Sequence, residues 1–251
     1  MDLLPENFCV VDLETSNLDP EDGVILEIGA CLPCGAIFEA TIHQPVQDGQ
    51  PAFCHSDKAL QVNGWTPERN ENAEYMSELA AIEDLLKWLQ DFSIDHRAET
   101  GEEVQWLFAG KNPRFDWDWL LFYVRKDPRL VELFRIFSRR TIDLHSWAYA
   151  WGMTRGFDLT EPGFNTDKLY AALGFEQEPM PHRALAGAQL AMKVFKRLRI
   201  ELAESREVAE RLATANALIG DYQETESALG RELRRREQEL EEARREIAIR
   251  A

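Results

Sequence analysis

The chain is short of positive charge. It carries 28 Lys and Arg against 45 Asp and Glu, a formal net charge of −17 over 251 residues. Neutralising a run of phosphates needs clustered cations, so a broad basic gripping face is excluded, whereas a small cleft whose positive charge comes from bound cations is not. Cysteine is scarce as well. Cys9, Cys31, Cys34 and Cys54 are too few for a disulfide scaffold at this length. Cys31-Leu-Pro-Cys34 has C-x-x-C spacing and Cys54-His55 follows 20 residues on, the ingredients of a structural zinc site. The apolar runs on either side of Pro33-Cys34-Gly35 point instead to a hairpin turn with ordinary reduced thiols. No apolar run approaches the roughly 20 residues of a membrane-spanning helix, and residues 1–10 lack a signal-peptide pattern. A cytoplasmic protein with no membrane partner is the expectation.

Apolar residues make up 45% of the chain, with seven Trp and thirteen Phe, enough to bury a sizeable core. Residues 8–15 form an apolar, β-rich run that turns acidic at its end. Residues 24–30 and 36–42 are two further strand-like runs joined by a short turn, which predicts an antiparallel meander. Residues 59–63 and 75–90 carry helical spacing, with Met76, Leu79, Ile82, Leu85, Leu86 and Leu89 on one face of the latter. Residues 104–109 read as a strand, 112–125 as a helix, 141–144 as a short strand or helix start, and 166–173 and 184–198 as helices. Strands followed by helices alternating with further strands predict an α/β mixed sheet with helices packed on it.

The last fifty residues change character. Leu212, Ile219, Leu233, Leu240 and Ile247 share one heptad position, and Val208, Ala215, Tyr222, Leu229 and Ala243 the other. Glu226 and Arg236 interrupt the seam, and Gly220 and Gly230 weaken the helix. The expected organisation is a globular domain over 1–200 and a coiled-coil-like helical extension over 201–251. That extension serves homo-oligomerisation or folds back as a solvated amphipathic helix.

Three elements carry chemistry. Asp12 and Glu14 sit two apart at the C-terminal end of the first strand, so both carboxylates point to one face. Like charges in so apolar a strand call for a compensating cation, and a divalent metal is the natural one. The second element, Asn112-Pro-Arg-Phe115-Asp116-Trp117-Asp118-Trp119-Leu120, follows a strand and opens a helix that Asn112 can cap. Read alone, it is a capped amphipathic helix with an acidic surface residue. In the third, Pro179-Met-Pro-His182-Arg183-Ala184-Leu185-Ala186-Gly187-Ala188, a loop delivers a histidine to the start of a small-residue helix. A histidine there, taken by itself, is a cap or surface residue.

In this order the three elements resemble the motifs of the DEDDh, or DnaQ-like, 3'-5' exonucleases of the ribonuclease H-like fold. The matching segments are Val10-Val11-Asp12-Leu13-Glu14-Thr15-Ser16, Asn112-Pro113-Arg114-Phe115-Asp116 and His182-Arg183-Ala184-Leu185-Ala186-Gly187-Ala188, and the resemblance spans residues 6–198. It implies hydrolysis of phosphodiester bonds from the 3' end of DNA or RNA with two divalent ions, Mg²⁺ or Mn²⁺. Asp12, Glu14 and Asp116 become metal ligands, with His182 and Glu14 in the catalytic set and His182 the general base. Backbone groups near Thr15 and Ser16 would hold the 3'-terminal nucleotide, Asn112 would lie beside it, and Phe115 or Trp65 would wedge or stack on a base. Core packing is the competing role for Trp65. The expected partner is a single-stranded or 3'-end nucleic acid. Over residues 1–200 the balance is 19 Lys and Arg against 32 Asp and Glu, which favours short, end-limited contacts.

One position departs from the pattern. The family carries Asp five residues after the histidine, and here that position is Gly187. The absence reads as a substitution that disables the site, as the mark of a non-catalytic binding or scaffold protein, or as a ligand replaced from elsewhere, with Asp158 and Asp167 as candidates.

Overall fold

Phe8–Thr15 (β1) is buried along its length, and its period-two pattern divides it between two layers of helices. Cys9, Val11 and Leu13 join a core cluster with Ile82, Leu85 and Trp119 on one face. On the other, Phe8 meets Phe195 edge to face with ring centroids 5.9 Å apart. A fully buried large apolar side chain contributes about 1.5–3 kcal/mol, so this alternation fixes the faces to which Asp12 and Glu14 must point. The computed structural model describes residues 7–101, 103–160 and 165–203.

The chain continues through β2 (Ile25–Cys31), β3 (Ile37–Thr41), and a two-stranded ribbon of β4 (Val46–Gln47) and β5 (Gln50–Pro51). Three helices follow, α1 (Asp57–Asn63), α2 (Pro67–Asn70) and α3 (Glu78–Thr100). Then come β6 (Trp106–Gly110), α4 (Pro113–Val124), α5 (Pro128–Phe134), β7 (Phe137–Asp143), α6 (Leu144–Thr154), α7 (Thr166–Ala172) and α8 (Ala184–Ala203). The main sheet has the order β3-β2-β1-β6-β7. The β1–β2 and β2–β3 pairs are antiparallel, and β1–β6 and β6–β7 are parallel. The fold is therefore the expected ribonuclease H-like mixed sheet flanked by helices, with β1 where the two kinds of pairing meet.

Some expectations need correction. Met76, placed on the buried face of the long helix, is 76% exposed. Ser77 caps α3 by accepting a hydrogen bond from the Ala80 N–H, so the helix starts at Glu78, one turn later than the apolar spacing implied. Residues 141–144 are both strand end and helix start: Asp143 closes β7 and caps α6 through the His145 and Ser146 N–H groups. Cys31 and Cys34 flank the predicted hairpin turn, with Gly35 at φ 97°, and no His/Cys/Asp/Glu group that could hold a metal ion includes a cysteine among the described residues. The heptad segment lies outside the described residues. No described helix is long and apolar enough to cross a membrane.

Candidate metal centre

Two glycines let the site close up. Opposite Asp12 on β2 stands Gly29, and a Cβ there would lie 2.2 Å from the backbone carbon of Ala184. The start of α8 is thus seated directly on the sheet. One turn further along, Gly187 lies over Asp12: a Cβ at Gly187 would fall 2.2 Å from Asp12 Oδ2.

Asp116 is brought in by α4. Parallel pairing of β1 with β6 runs from Phe8 to Val10, leaving the Leu13 N–H beyond its end. Asp116 Oδ1 accepts that N–H at 3.0 Å, and the side chain is 3% exposed. Burial, then the carboxylates of Asp116 and Glu178, push the Asp12 carboxyl well above the usual carboxylate range, against the pull of Lys111. Burial raises Asp116 in the same way, opposed by its backbone hydrogen bonds. Glu14 is pushed from its ordinary 4.5 to about 8, by burial first and then by Asp12 and Glu178, with Arg69 and Arg183 opposing. Three crowded, buried acids that raise one another's proton affinity form a site whose charge a bound cation would compensate. The donors are oxygens, with one imidazole nearby, a set that suits Mg²⁺ or Mn²⁺.

His182 arrives from the loop before α8, its backbone N–H held by the Val62 carbonyl of α1 at 2.9 Å. Its ring, the Glu14 carboxylate and the Glu178 carboxylate each offer a ligand atom, and the three atoms lie within 4.8 Å of one another. Glu178 is the residue that sequence reasoning missed. Its one signal was an acid four positions before the histidine.

Glu27, an acid inside an apolar strand, was the other unread signal. It is 3% exposed and pairs with Arg69 of α2 and with Arg183 Nε at 3.1 Å, and it also accepts the Ala184 N–H at 3.2 Å. This cluster ties α2, β2 and α8 together beside Glu14, the cross-strand partner of Glu27. Asn63 adds a further tie by donating to the Thr15 carbonyl at 3.2 Å.

The other expected residues fall unevenly. Trp65 lines a small cavity beside Glu14 together with Asn63 and Arg69. It is half-buried and packs edge to face on Phe53 at 5.3 Å. Phe115 is half-buried, its ring 6.2 Å from that of Trp119. Thr15 Oγ1 donates to the Asn17 carbonyl at 2.7 Å. Ser16 is fully buried, with its N–H donated to Val24 and its hydroxyl to Cys54, so it braces the loop and has no donor left for a nucleotide. Asn112 occupies the N-cap position of α4 but makes no side-chain cap; it is exposed and left-handed at φ 62°, so the expected capping bond is absent. Asp158 is exposed and bonded to Thr160, and Asp167 lies 3.6 Å from Lys111.

No protein-family model and no curated protein sequence matches the chain. Solved structures do. The zinc-ion-bound form of the E. coli exonuclease I–ssDNA complex superposes with a TM-score of 0.58 at 17% identity, covering 82% of this chain and 42% of that one. Exonuclease I from Methylocaldum szegediense gives 0.56 at 18% identity, covering 83% and 43%. The E. coli enzyme with a dT13 oligonucleotide gives 0.53 at 17%, covering 78% and 42%. The chain thus spans less than half the length of these exonuclease I chains, and what it shares with them is the fold, a ribonuclease H-like mixed sheet flanked by helices.

Proposed function

We propose that the chain is a metal-dependent 3'-5' exonuclease acting on single-stranded nucleic acid. The observation that carries this reading is the meeting of the Asp12, Glu14 and Asp116 carboxylates, from β1 and α4, close enough to raise one another's proton affinity, with Glu14 also grouped with Glu178 and His182. Exonuclease I, whose fold the chain shares, has been captured with single-stranded DNA, which supports an unpaired strand as substrate.

Asp12, Glu14 and Asp116 would hold Mg²⁺ or Mn²⁺, which when bound neutralises charge on the scissile phosphate and makes a water a better nucleophile. His182 takes the proton from the attacking water. Trp65, at the cleft beside Glu14, offers an aromatic face to the terminal base, with Phe115 and Asn112 on α4 as further contacts. With cations in the site rather than on the surface, the −17 chain grips the end of a strand and not its length.

Gly187 favours a second reading, a non-catalytic nucleic-acid-binding module. The two separate in a nuclease assay on 3'- and 5'-labelled single-stranded DNA and RNA, with Mn²⁺ or with chelator. Mononucleotides released from the 3' end only when metal is present support the enzyme. Binding without cleavage under every condition supports the module.

A further inference from the structure

We infer that Glu178 is the fourth carboxylate of the metal centre, delivered by the loop before α8 to the space that α8 leaves open at Gly187. The inference rests on the metal-dependent reading of Asp12, Glu14 and Asp116.

Glu14 supplies the first observation. It is 9% exposed and aims its carboxylate at the group it forms with Glu178 and His182, yet among the described residues no hydrogen bond or ion pair reaches that carboxylate. A buried carboxylate facing another carboxylate and an imidazole, with no donor of its own, is satisfied by a cation.

Gly187 supplies the second. A Cβ there would lie 2.2 Å from Asp12 Oδ2 and 3.3 Å from Glu178 Oε1. The room in which a side chain at 187 would begin is therefore filled by the Asp12 carboxylate and flanked by that of Glu178. Gly187 is the clearance that lets these two acids share one pocket, which Lys111 and Asp167 also line. Glu178 Oε1 accepts the Arg183 N–H at 3.4 Å, and Oε2 lies 4.0 Å from His182 Nδ1. Its side chain is 16% exposed, so it faces the pocket more than solvent. Of the two acids that the sequence offered as replacements, Asp158 is bonded within its own loop, and Asp167 lines the same pocket but is paired with Lys111 at 3.6 Å.

The arrangement makes a prediction opposite to the one the motif alone would give: placing Asp at 187 crowds Asp12 and adds no ligand. The test is Mn²⁺ titration of the metal-stripped full chain, with free Mn²⁺ read by electron paramagnetic resonance, for wild type, Asp12→Asn, Glu178→Gln and Gly187→Asp. Glu178→Gln is expected to weaken Mn²⁺ binding by about tenfold or more, and Gly187→Asp to bind no more tightly than wild type. If Glu178→Gln unfolds abnormally, Glu178→Asp, which keeps the charge but draws it back by one methylene, replaces it with the same expected loss. Wild-type binding that Asp12→Asn leaves unchanged would sink the metal reading itself. Binding that Asp12→Asn abolishes but Glu178→Gln leaves at wild-type affinity, or that Gly187→Asp tightens, would overturn the assignment of Glu178 alone.

Discussion

The two walls of the site are built differently. One stands on regular elements: Asp12 and Glu14 on β1, and Asp116 in the first turn of α4, locked to the strand by the Leu13 N–H. The other hangs on the loop between α7 and α8, where Glu178 and His182 are placed by the Val62 carbonyl, the Arg183 N–H and the seat of α8 on Gly29. On a strand or helix, the position of a side chain follows from the period, so a ligand there is tied to its place in the sequence. A loop has no period. It can bring a carboxylate to the same space from nine residues away, Glu178 against Gly187, and the helix then needs only to make room.

The sharpest way to break the first wall is Asp12→Asn. It should lower metal-dependent release of 3' nucleotides by about 10²-fold or more, measured as single-turnover rates on a labelled oligonucleotide. A rate within a few-fold of wild type would place the chemistry elsewhere.

The second wall can be loosened without touching an acid. Gly29→Ala puts a methyl group into the Ala184 backbone, which cannot yield as a side-chain tip does. The expected loss is about 1–3 kcal/mol, read from the midpoint of denaturant unfolding. An unchanged midpoint would mean that α8 is not seated on β2 as described.

The effect of pH compares the two walls more gently. Glu14, raised from 4.5 to about 8, stays protonated in the folded chain where the unfolded chain has already ionised. Asp12 and Asp116 shift in the same direction. Their contribution is fully present below the unfolded values and is lost as pH rises toward the folded ones. The metal-free protein should therefore melt at progressively lower temperature between about pH 5 and pH 8.5, and Mg²⁺ should restore stability at the upper end by binding only the folded, ionised site. A melting temperature indifferent to both pH and Mg²⁺ would argue against a crowded acidic cluster.

These contrasts also mark how far the sequence could be read. The strands β1, β2, β3 and β6 were legible as apolar runs and the helices α3, α4, α7 and α8 by their spacing, as Leu85, Leu86 and Leu89 show, whereas α2, the β4–β5 ribbon, α5, α6 and most of β7 were not read. That Asp12 and Glu14 share a face followed from parity, whereas Asp116, read alone as a surface acid, was reached only through the family resemblance and is buried against the Leu13 N–H. Met76 misled because an apolar residue on the right spacing preceded the cap at Ser77. The backbone groups of Ser16, expected to hold a nucleotide, are engaged within the fold, the N–H with the Val24 carbonyl and the carbonyl with the Ser56 N–H. Glu27 was an acid in an apolar strand whose partners, Arg69 and Arg183, lie 42 and 156 residues away in sequence. No local pattern reports pairings at such distances, and the path of the Glu178 loop was hidden for the same reason.

The most direct measurement is a crystal structure of the protein soaked with Mn²⁺ and a nucleoside 5'-monophosphate, with data collected for anomalous scattering by manganese. The expected result is an anomalous peak bounded by Asp12, Glu14 and Asp116, with the Glu178 carboxylate in contact with the ion or its water and the phosphate beside it. Crystals that take up Mn²⁺ elsewhere, leaving no peak between these carboxylates, would contradict the metal centre on which the proposed function depends.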